Sequence, residues 1–177
     1  MKIAVLAGGL STERDVSLIT GGGVCRALKE KGHQAVLIDV FLGIPGDVSD
    51  IFDREQDTQT IQGSIRTMEP DVEEIKASRT GSPDGFLGEN VINICRMADI
   101  TFMALHGAEG ENGKLQATFD ILGIPYTGSG YLGSALAMDK GVAKSLLVQA
   151  QIPVPKGYIH KKGDEDTRPR LPFPLVV

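Results

Sequence analysis

The sequence predicts an α/β domain, with a small parallel sheet flanked by helices, followed by the beginning of a second domain. Apolar runs rich in β-branched residues alternate with helical patterns, as in sheets whose strands are buried on both faces. Loops rich in glycine and polar residues follow two of these runs. The length of 177 residues is enough for one full domain and part of another.

The first strand, helix and second strand form one unit. Residues 2–7 are a largely apolar run that predicts a buried strand, and residues 34–40 predict a second one. Between them, residues 16–31 place apolar side chains on one helical face, and Gly32 ends that helix. Because a β-α-β crossover is right-handed, we expect the two strands to be parallel.

Three consecutive glycines, residues 21–23, lie inside the predicted first helix. In a helix interior each glycine costs about 1 kcal/mol relative to alanine. We therefore expect a close approach of this helix to the sheet or to a ligand, where a side chain would not fit.

Residues 44–87 predict a long surface insertion that is partly ordered. The segment is rich in acidic residues, glutamine, glycine, serine and threonine. Residues 68–79 are predicted to hold a short helix, and residues 80–85 read as a turn. The sequence indicates no role for this insertion.

Regular structure is predicted to resume after the insertion. We expect a helix over 88–98, a strand over 100–105 and a helix over 114–122 that Gly123 ends. The polar residues between that strand and helix predict a loop over 106–113.

The last third of the chain predicts a short strand over 124–128 and then two helical pieces over 131–150. Asp139 is placed to begin the second piece. Residues 151–170 read as a linker, a strand and a polar turn, and residues 171–177 as an apolar strand. Because a strand needs partners for its backbone and its faces, we expect the chain to be truncated. We place the domain boundary between residues 1–138 and 139–177.

Composition excludes several classes of function. A net charge of −5 and a pI near 5.2 argue against general nucleic-acid binding, which relies on clustered basic residues. No apolar run approaches the ~18 residues that span a membrane, and the first residues do not form a signal peptide. The two cysteines, Cys25 and Cys95, have no metal-ligand spacing and are expected to be buried free thiols. We expect a cytoplasmic protein.

The first candidate site is the loop over residues 7–15, between the first strand and the N-terminus of its helix. Gly8 and Gly9 allow a tight turn that leaves space for a ligand, and the dinucleotide-binding fingerprint is absent. The Glu13 carboxylate suits either a helix cap or an amine. Its spacing alone favours the helix cap.

The second candidate site is the loop that begins with His106. A lone histidine after a strand is more often a structural hydrogen-bonding residue than a ligand-binding one. Glu109 and Glu111 lack a third ligand with suitable spacing, so we read them as part of a solvated loop.

The third candidate site combines residues 125–130 with Lys140. Tyr126, Thr127 and Ser129 offer hydroxyl groups beside two glycines. Lys140 offers a positive charge to a phosphate, and the alternative is a surface lysine in the first turn of a helix. The sequence contains no credible Ser-His-Asp arrangement.

These motifs, taken in order, resemble those of the D-alanine–D-alanine ligases, which belong to the ATP-grasp family. The motifs are AGGLSTERDVS, ALHGAEGENGKLQ and GIPYTGSGYLGSALAMDK. Each is weak alone, whereas the ordered set is specific and extends over residues 2–43 and 88–177. The resemblance implies a Rossmann-like N-terminal domain, termed pre-ATP-grasp, that binds the first D-alanine, followed by the start of an ATP-grasp central domain.

The resemblance also implies roles for single residues. Glu13 would anchor the ammonium group of the first D-alanine, and Val16 and Ser17 would lie beside it. His106 would lie near the substrate carboxylate, and Lys140 would bind the ATP phosphates. With the family included, the amine-binding reading of Glu13 is preferred over helix capping.

The implied reaction uses ATP and Mg²⁺ (or Mn²⁺) to activate one D-alanine as an acyl phosphate, which the amine of a second D-alanine attacks. The product serves peptidoglycan synthesis. The metal ligands are expected outside this chain, so we expect these 177 residues alone to be inactive. A homodimer is expected by resemblance.

Three other functions stay open from the sequence. A D-alanine–D-lactate or D-alanine–D-serine ligase would share every motif quoted above. Another ATP-grasp carboxylate–amine ligase would not be expected to share the first two motifs. A non-catalytic module that binds an amino acid or a nucleotide would belong to a different class altogether.

Overall fold

The computed structural model describes residues 1–54, 70–79, 85–160, 163, 171 and 173. The chain divides into two compact units, Met1–Ala135 and Leu136–Val177. The boundary between residues 138 and 139 stays a prediction. Among the described helices, none has the length and apolar character that a membrane span requires.

The first unit contains a three-stranded parallel sheet, as the sequence predicts. Its strands are β1 (Lys2–Ala7), β2 (Gln34–Asp39) and β3 (Ile100–Met103), in the order β2-β1-β3. The described helices are α1 (Arg14–Glu30), α2 (Val72–Ser78), α3 (Val91–Met97), α4 (Ala108–Glu111), α5 (Lys114–Leu122), α6 (Tyr131–Met138) and α7 (Lys140–Gln149). Helices α1, α3 and α5 confirm three of the predicted helices. The short helix α4 lies where we predicted only a loop.

The two faces of the sheet pack against different helices. Successive side chains along a strand point to opposite faces of the sheet. The even-numbered buried residues of β1 and β2 accordingly belong to one core cluster and the odd-numbered ones to the other. One cluster includes Leu18 and Cys25 of α1, and the other includes residues of α3 and α5. Helices therefore cover both faces of the sheet, and the carboxyl ends of the strands meet at one edge.

Gly21 explains part of the glycine run in α1. A Cβ atom on Gly21 would lie 2.6 Å from the Ala7 Cβ atom and 2.9 Å from the Leu37 Cδ1 atom. The close approach of the helix to the sheet is thus confirmed at this position. Nothing lies within 4 Å of the corresponding point on Gly23.

The predicted surface insertion is only partly a surface segment. Val48, Ile51 and Phe52 are buried in the core cluster that includes α3 and α5. The error arose because these three apolar residues lie within a polar segment and show no helical or strand period, so only the tertiary structure shows that they are buried. The predicted short helix is present as α2, and most of the predicted turn over 80–85 lies outside the described residues.

The strand predicted over residues 124–128 is wrong. Only an isolated parallel bridge joins Thr101 to Tyr126. The amide of Thr101 donates to the Pro125 carbonyl at 2.8 Å, and the amide of Thr127 donates back to the Thr101 carbonyl at 3.0 Å. Pro125 has no amide hydrogen to donate, and the left-handed backbone of Gly128 (φ 102°) turns the chain away from the sheet.

The second unit contains α7, whose start was predicted correctly. The Asp139 carboxylate accepts hydrogen bonds of 3.0 Å from the amides of Gly141 and Val142, which makes it the N-cap residue. Residues 151–160 contain no strand, so the part of that prediction falling on them is wrong. The strand predicted over 171–177 lies outside the described residues, apart from two positions.

Candidate functional site

The candidate site lies at the carboxyl edge of the parallel sheet. Ala7 at the end of β1 pairs with Asp39 at the end of β2, and Leu6 pairs with Met103 at the end of β3. The loops that follow these strands therefore emerge side by side. Open α/β sheets bind their ligands at this edge.

The turn after β1 depends on its two glycines. Gly8 and Gly9 have φ angles of 76° and 87°, in the left-handed region that glycine adopts without strain. A Cβ atom on Gly8 would lie 2.7 Å from the Asp39 Cγ atom, so the carboxyl group of Asp39 occupies the space of the missing side chain.

Ser17 joins this turn to the end of β3. Its side chain is fully buried, and its hydroxyl donates to the Ala104 carbonyl at 2.7 Å while accepting from the Gly8 amide at 2.9 Å. Both hydrogen bonds are made within the protein. The structure thus places Ser17 beneath the candidate site, where it fastens two of the loops together.

Glu13 lies at the N-cap position of α1, but its side chain makes no capping hydrogen bond. Side-chain capping, which its spacing alone favours, is therefore not observed. The amide of Glu13 donates to the Ser11 hydroxyl at 3.3 Å. Within the part of the chain that the structure describes, the exposed Glu13 carboxylate has no hydrogen-bond or ion-pair partner.

His106 lies across from Glu13, on the loop after β3. Its carbonyl accepts a 2.8 Å hydrogen bond from the Ser11 hydroxyl. Its Nε2 atom is 3.3 Å from the Thr20 hydroxyl on α1, which is the structural hydrogen bond expected of such a histidine. A Cβ atom on the next residue, Gly107, would lie 3.3 Å from Glu13 Oε2. The two predicted residues, Glu13 and His106, therefore lie on loops that contact each other.

The two remaining predicted residues, Val16 and Lys140, lie on different helices. Val16 is 42% exposed on α1, one turn from Thr20. Lys140 is the exposed first residue of α7 and belongs to the second unit.

Arg14 and Asp39 are two residues of this region that the sequence reasoning missed. Their side chains, 9% and 7% exposed, form a buried ion pair. The signal was available, because Asp39 is a charged residue at the end of an apolar strand, and a buried carboxylate needs a partner.

The loop between β3 and α5 is held by Gln116. Its side-chain amide donates to the Gly110 carbonyl at 2.8 Å. Glu109 and Glu111 lie on the short helix α4 within this loop. Among the described residues, no three or more histidine, cysteine, aspartate or glutamate side chains form a group that could hold a metal ion.

Two curated proteins are similar to this chain over its whole length. It is 42% identical to a D-alanine–D-alanine ligase of Pediococcus pentosaceus, with the match covering 51% of that protein. It is 43% identical to a D-alanine–D-alanine ligase of Lacticaseibacillus casei, with the match covering 50% of that protein. The chain spans about half the length of these relatives.

A solved structure gives the same result for the fold. The D-alanine–D-alanine ligase from Bacillus anthracis, crystallised in complex with ATP, aligns with a TM-score of 0.56 and 27% identity. The alignment covers 88% of this chain and 39% of that one. Residues 2–129 match the family described as the D-ala D-ala ligase N-terminus. The chain belongs to this family.

Proposed function

We propose that the protein containing this chain ligates two D-alanine molecules, using ATP, for peptidoglycan precursor synthesis. The γ-phosphoryl group of ATP passes to the carboxylate of the first D-alanine. The amine of the second D-alanine then attacks the acyl phosphate, and ADP and inorganic phosphate are released. Membership of the family supports this proposal, and one feature of the site carries it.

That feature is the carboxylate of Glu13, which has no partner among the described residues. It lies at the carboxyl edge of the sheet, where ligands of α/β proteins bind, and it faces the loop of His106 and Gly107. An ammonium group is its complementary ligand, because charge-assisted hydrogen bonds are stronger than neutral ones. We assign Glu13 to the ammonium group of the first D-alanine.

Three further assignments complete the amino-acid site. We assign His106 to the substrate carboxylate, since its ring lies on the loop that faces Glu13. We assign Val16, which is exposed on the same helix, to the surface beside the substrate. Ser17 supports this surface from below through its two buried hydrogen bonds.

The nucleotide is assigned to the second part of the protein. We propose that residues 1–138 form the substrate-binding domain and that residues 139–177 begin the ATP-grasp central domain. Lys140 is exposed at the first position of α7, and its ammonium group suits a phosphate as a point charge.

Magnesium is part of the proposed reaction, but this chain supplies no site for it among its described residues. Glu109 and Glu111 lie on α4 in the loop after β3, and no third ligand joins them among the described residues. Magnesium in proteins is usually bound by one or two carboxylates together with substrate phosphates. We therefore propose that the metal ligands lie in the part of the protein that binds the ATP phosphates, and we assign none to the described residues.

The proposal is tested by ADP release from ATP, measured for these 177 residues and for the full reading frame that contains them. The substrates are D-alanine, L-alanine, and D-alanine with D-lactate or D-serine. We expect turnover with D-alanine and none with L-alanine. If the full protein shows no turnover with any of these substrates, the ligase proposal is wrong and a binding module becomes the better account.

The role of Glu13 is tested separately with Glu13→Gln in the full protein. We expect the Michaelis constant for the first D-alanine to rise at least tenfold, because the amide has no charge to offer the ammonium group. The matched control is Glu30→Gln, at the other end of α1, where we expect no change. Equal Michaelis constants for the two variants would contradict the assignment.

The family also supports two proposals about context. We propose that the protein is cytoplasmic, where ATP is available, and that it forms a homodimer. The dimer is tested by light scattering on the full protein in solution, and a monomeric mass at micromolar concentration would contradict it.

A further inference from the structure

Arg14 and Asp39 form a buried ion pair that joins three segments of the first unit. Arg14 is the first residue of α1, and its Nη2 atom donates to Asp39 Oδ2 at the end of β2. Its Nη1 atom donates to the Gly9 carbonyl at 2.6 Å, in the turn after β1. One guanidinium group thus fastens the helix start, the glycine turn and the end of the neighbouring strand.

Both oxygens of the Asp39 carboxylate have hydrogen-bond partners within the protein. Its Oδ1 atom accepts from the amides of Phe41 and Leu42 at 2.9 and 3.1 Å. The carboxyl group also fills the space beside Gly8 that a side chain would occupy. The orientation of this carboxylate is therefore fixed by two backbone amides at Oδ1 and by the Arg14 guanidinium group at Oδ2.

The stability of the fold does not by itself explain such a pair. Burying two charges costs free energy that their attraction roughly offsets, and well-packed apolar residues often replace buried ion pairs without loss. An arginine–carboxylate contact instead fixes geometry, because the planar guanidinium group donates in a rigid fork. A positional role is the better explanation for this pair.

The position that the pair controls is that of Glu13, the residue directly before Arg14. Arg14 forms its ion pair with Asp39, and no ion pair joins Arg14 to Glu13 in the part of the chain that the structure describes. Asp39 therefore has two effects on Glu13. It holds the start of α1 in place, and it keeps the adjacent arginine from neutralising the Glu13 carboxylate.

We propose that Arg14 and Asp39 are positioning residues that hold the Glu13 carboxylate in place, and free of an ion pair with Arg14, for the amino group of the first substrate. This inference rests on the proposed function, in which Glu13 binds that amino group. Neither Arg14 nor Asp39 contacts the substrate itself. Their effect is therefore expected in the binding of the first D-alanine rather than in the binding of ATP.

The test uses Arg14→Lys and Asp39→Asn in the full protein, each assayed well below its own melting temperature. Lysine keeps the charge but lacks the fork that reaches both Gly9 and Asp39. Asparagine keeps the shape of Asp39 but frees the charge of Arg14. For both variants we expect the Michaelis constant for the first D-alanine to rise about tenfold. We expect kcat and the Michaelis constant for ATP to change less than threefold.

The matched control is Arg54→Lys. Arg54 pairs with Asp50 on the surface of the same unit, with side chains 44% and 57% exposed. We expect no kinetic change, since a surface pair holds little in place. A tenfold rise in this control would overturn the inference, because it would show a nonspecific effect of arginine replacement.

A double variant, Arg14→Met with Asp39→Asn, separates positioning from the cost of an unpaired buried charge. Neither new side chain is charged, and the asparagine oxygen can still accept from the amides of Phe41 and Leu42. A Michaelis constant for D-alanine that stays raised supports the inference, and one that returns to the unaltered value overturns it.

Failure of the inference can be told apart from failure of the proposed function. If the unaltered protein has no D-alanine-dependent turnover, the proposed function fails first. If it turns over and Glu13→Gln weakens D-alanine binding while Arg14→Lys and Asp39→Asn do not, only the positioning role is overturned.

Discussion

The hydroxyl of Ser17 on α1 donates a 2.7 Å hydrogen bond to the carbonyl of Ala104, the residue that follows β3. The two residues are 87 positions apart in the sequence. The same hydroxyl accepts from the amide of Gly8 at 2.9 Å, so one buried side chain links the two loops that carry Glu13 and His106. The candidate site is therefore assembled by a hydrogen-bond network beneath it.

Replacing Ser17 with alanine is expected to destabilise the protein by about 2–6 kcal/mol, since each of two buried groups left unpaired costs roughly 1–3 kcal/mol. The two groups are the Gly8 amide and the Ala104 carbonyl. Urea denaturation measures the loss. The control is Ser78→Ala, which removes an exposed hydrogen bond at the end of α2 and should change stability by less than about 0.5 kcal/mol. Similar losses for both variants would contradict this account.

Alanine substitutions at two glycines of α1 are predicted to change the stability of the protein in opposite directions. Gly21→Ala is expected to destabilise the protein by about 1–3 kcal/mol through overpacking, because its Cβ atom would meet Ala7 and Leu37. Gly23→Ala meets nothing within 4 Å and is expected to stabilise it by about 1 kcal/mol. Thermal unfolding of the two variants measures the difference. A melting temperature that rises for Gly21→Ala would show that α1 does not approach the sheet closely.

The N-cap of α7 gives a prediction for the second unit. Asp139→Ala is expected to destabilise this helix by about 1 kcal/mol, because the amides of Gly141 and Val142 lose their acceptor. Asp139→Asn keeps a side-chain oxygen and is expected to retain most of the stability. Hydrogen exchange of these two amides reports the change locally. Equal exchange rates in the alanine and asparagine variants would contradict the capping role.

The two cysteines are predicted to be unreactive in the folded protein. Burial raises the pKa of Cys25, and it raises the pKa of Cys95 from 9.0 to about 11. At pH 8 the thiolate fraction of Cys95 is then about one in a thousand, and the thiolate is the nucleophile. Iodoacetamide should label both residues in urea and neither in buffer. Rapid labelling of the native protein would show that these thiols are accessible.

Cys95 also predicts how stability depends on pH. Its folded pKa is raised, so the folded state binds the proton more tightly than the unfolded state. Its contribution to stability is fully present below pH 9.0 and is lost as the pH rises towards about 11. Urea unfolding across this range should show a weaker loss in Cys95→Ala. An identical pH dependence in both proteins would contradict the prediction.

By itself the sequence determined the local features of this protein. Strand β1, the bounds of α5 and the cap at Asp139 were predicted correctly, because apolar periodicity and terminal residues act over a few neighbouring positions. The motifs that indicated the family are also local features, because each is a short contiguous segment of the sequence. The strand over 124–128 failed because Pro125 has no amide hydrogen and the backbone of Gly128 turns the chain away, which leaves a single bridge between Tyr126 and Thr101.

Only the tertiary structure decided which residues meet. The pairing of Arg14 with Asp39, the two bonds of Ser17 and the burial of Val48 depend on how distant segments pack. Spacing favoured Glu13 as a helix cap, whereas in the fold its carboxylate makes no capping hydrogen bond and is unpaired among the described residues. The physical reason is that hydrogen bonds and ion pairs form only between groups about 3 Å apart in space. Local sequence patterns do not show which groups from distant segments come that close.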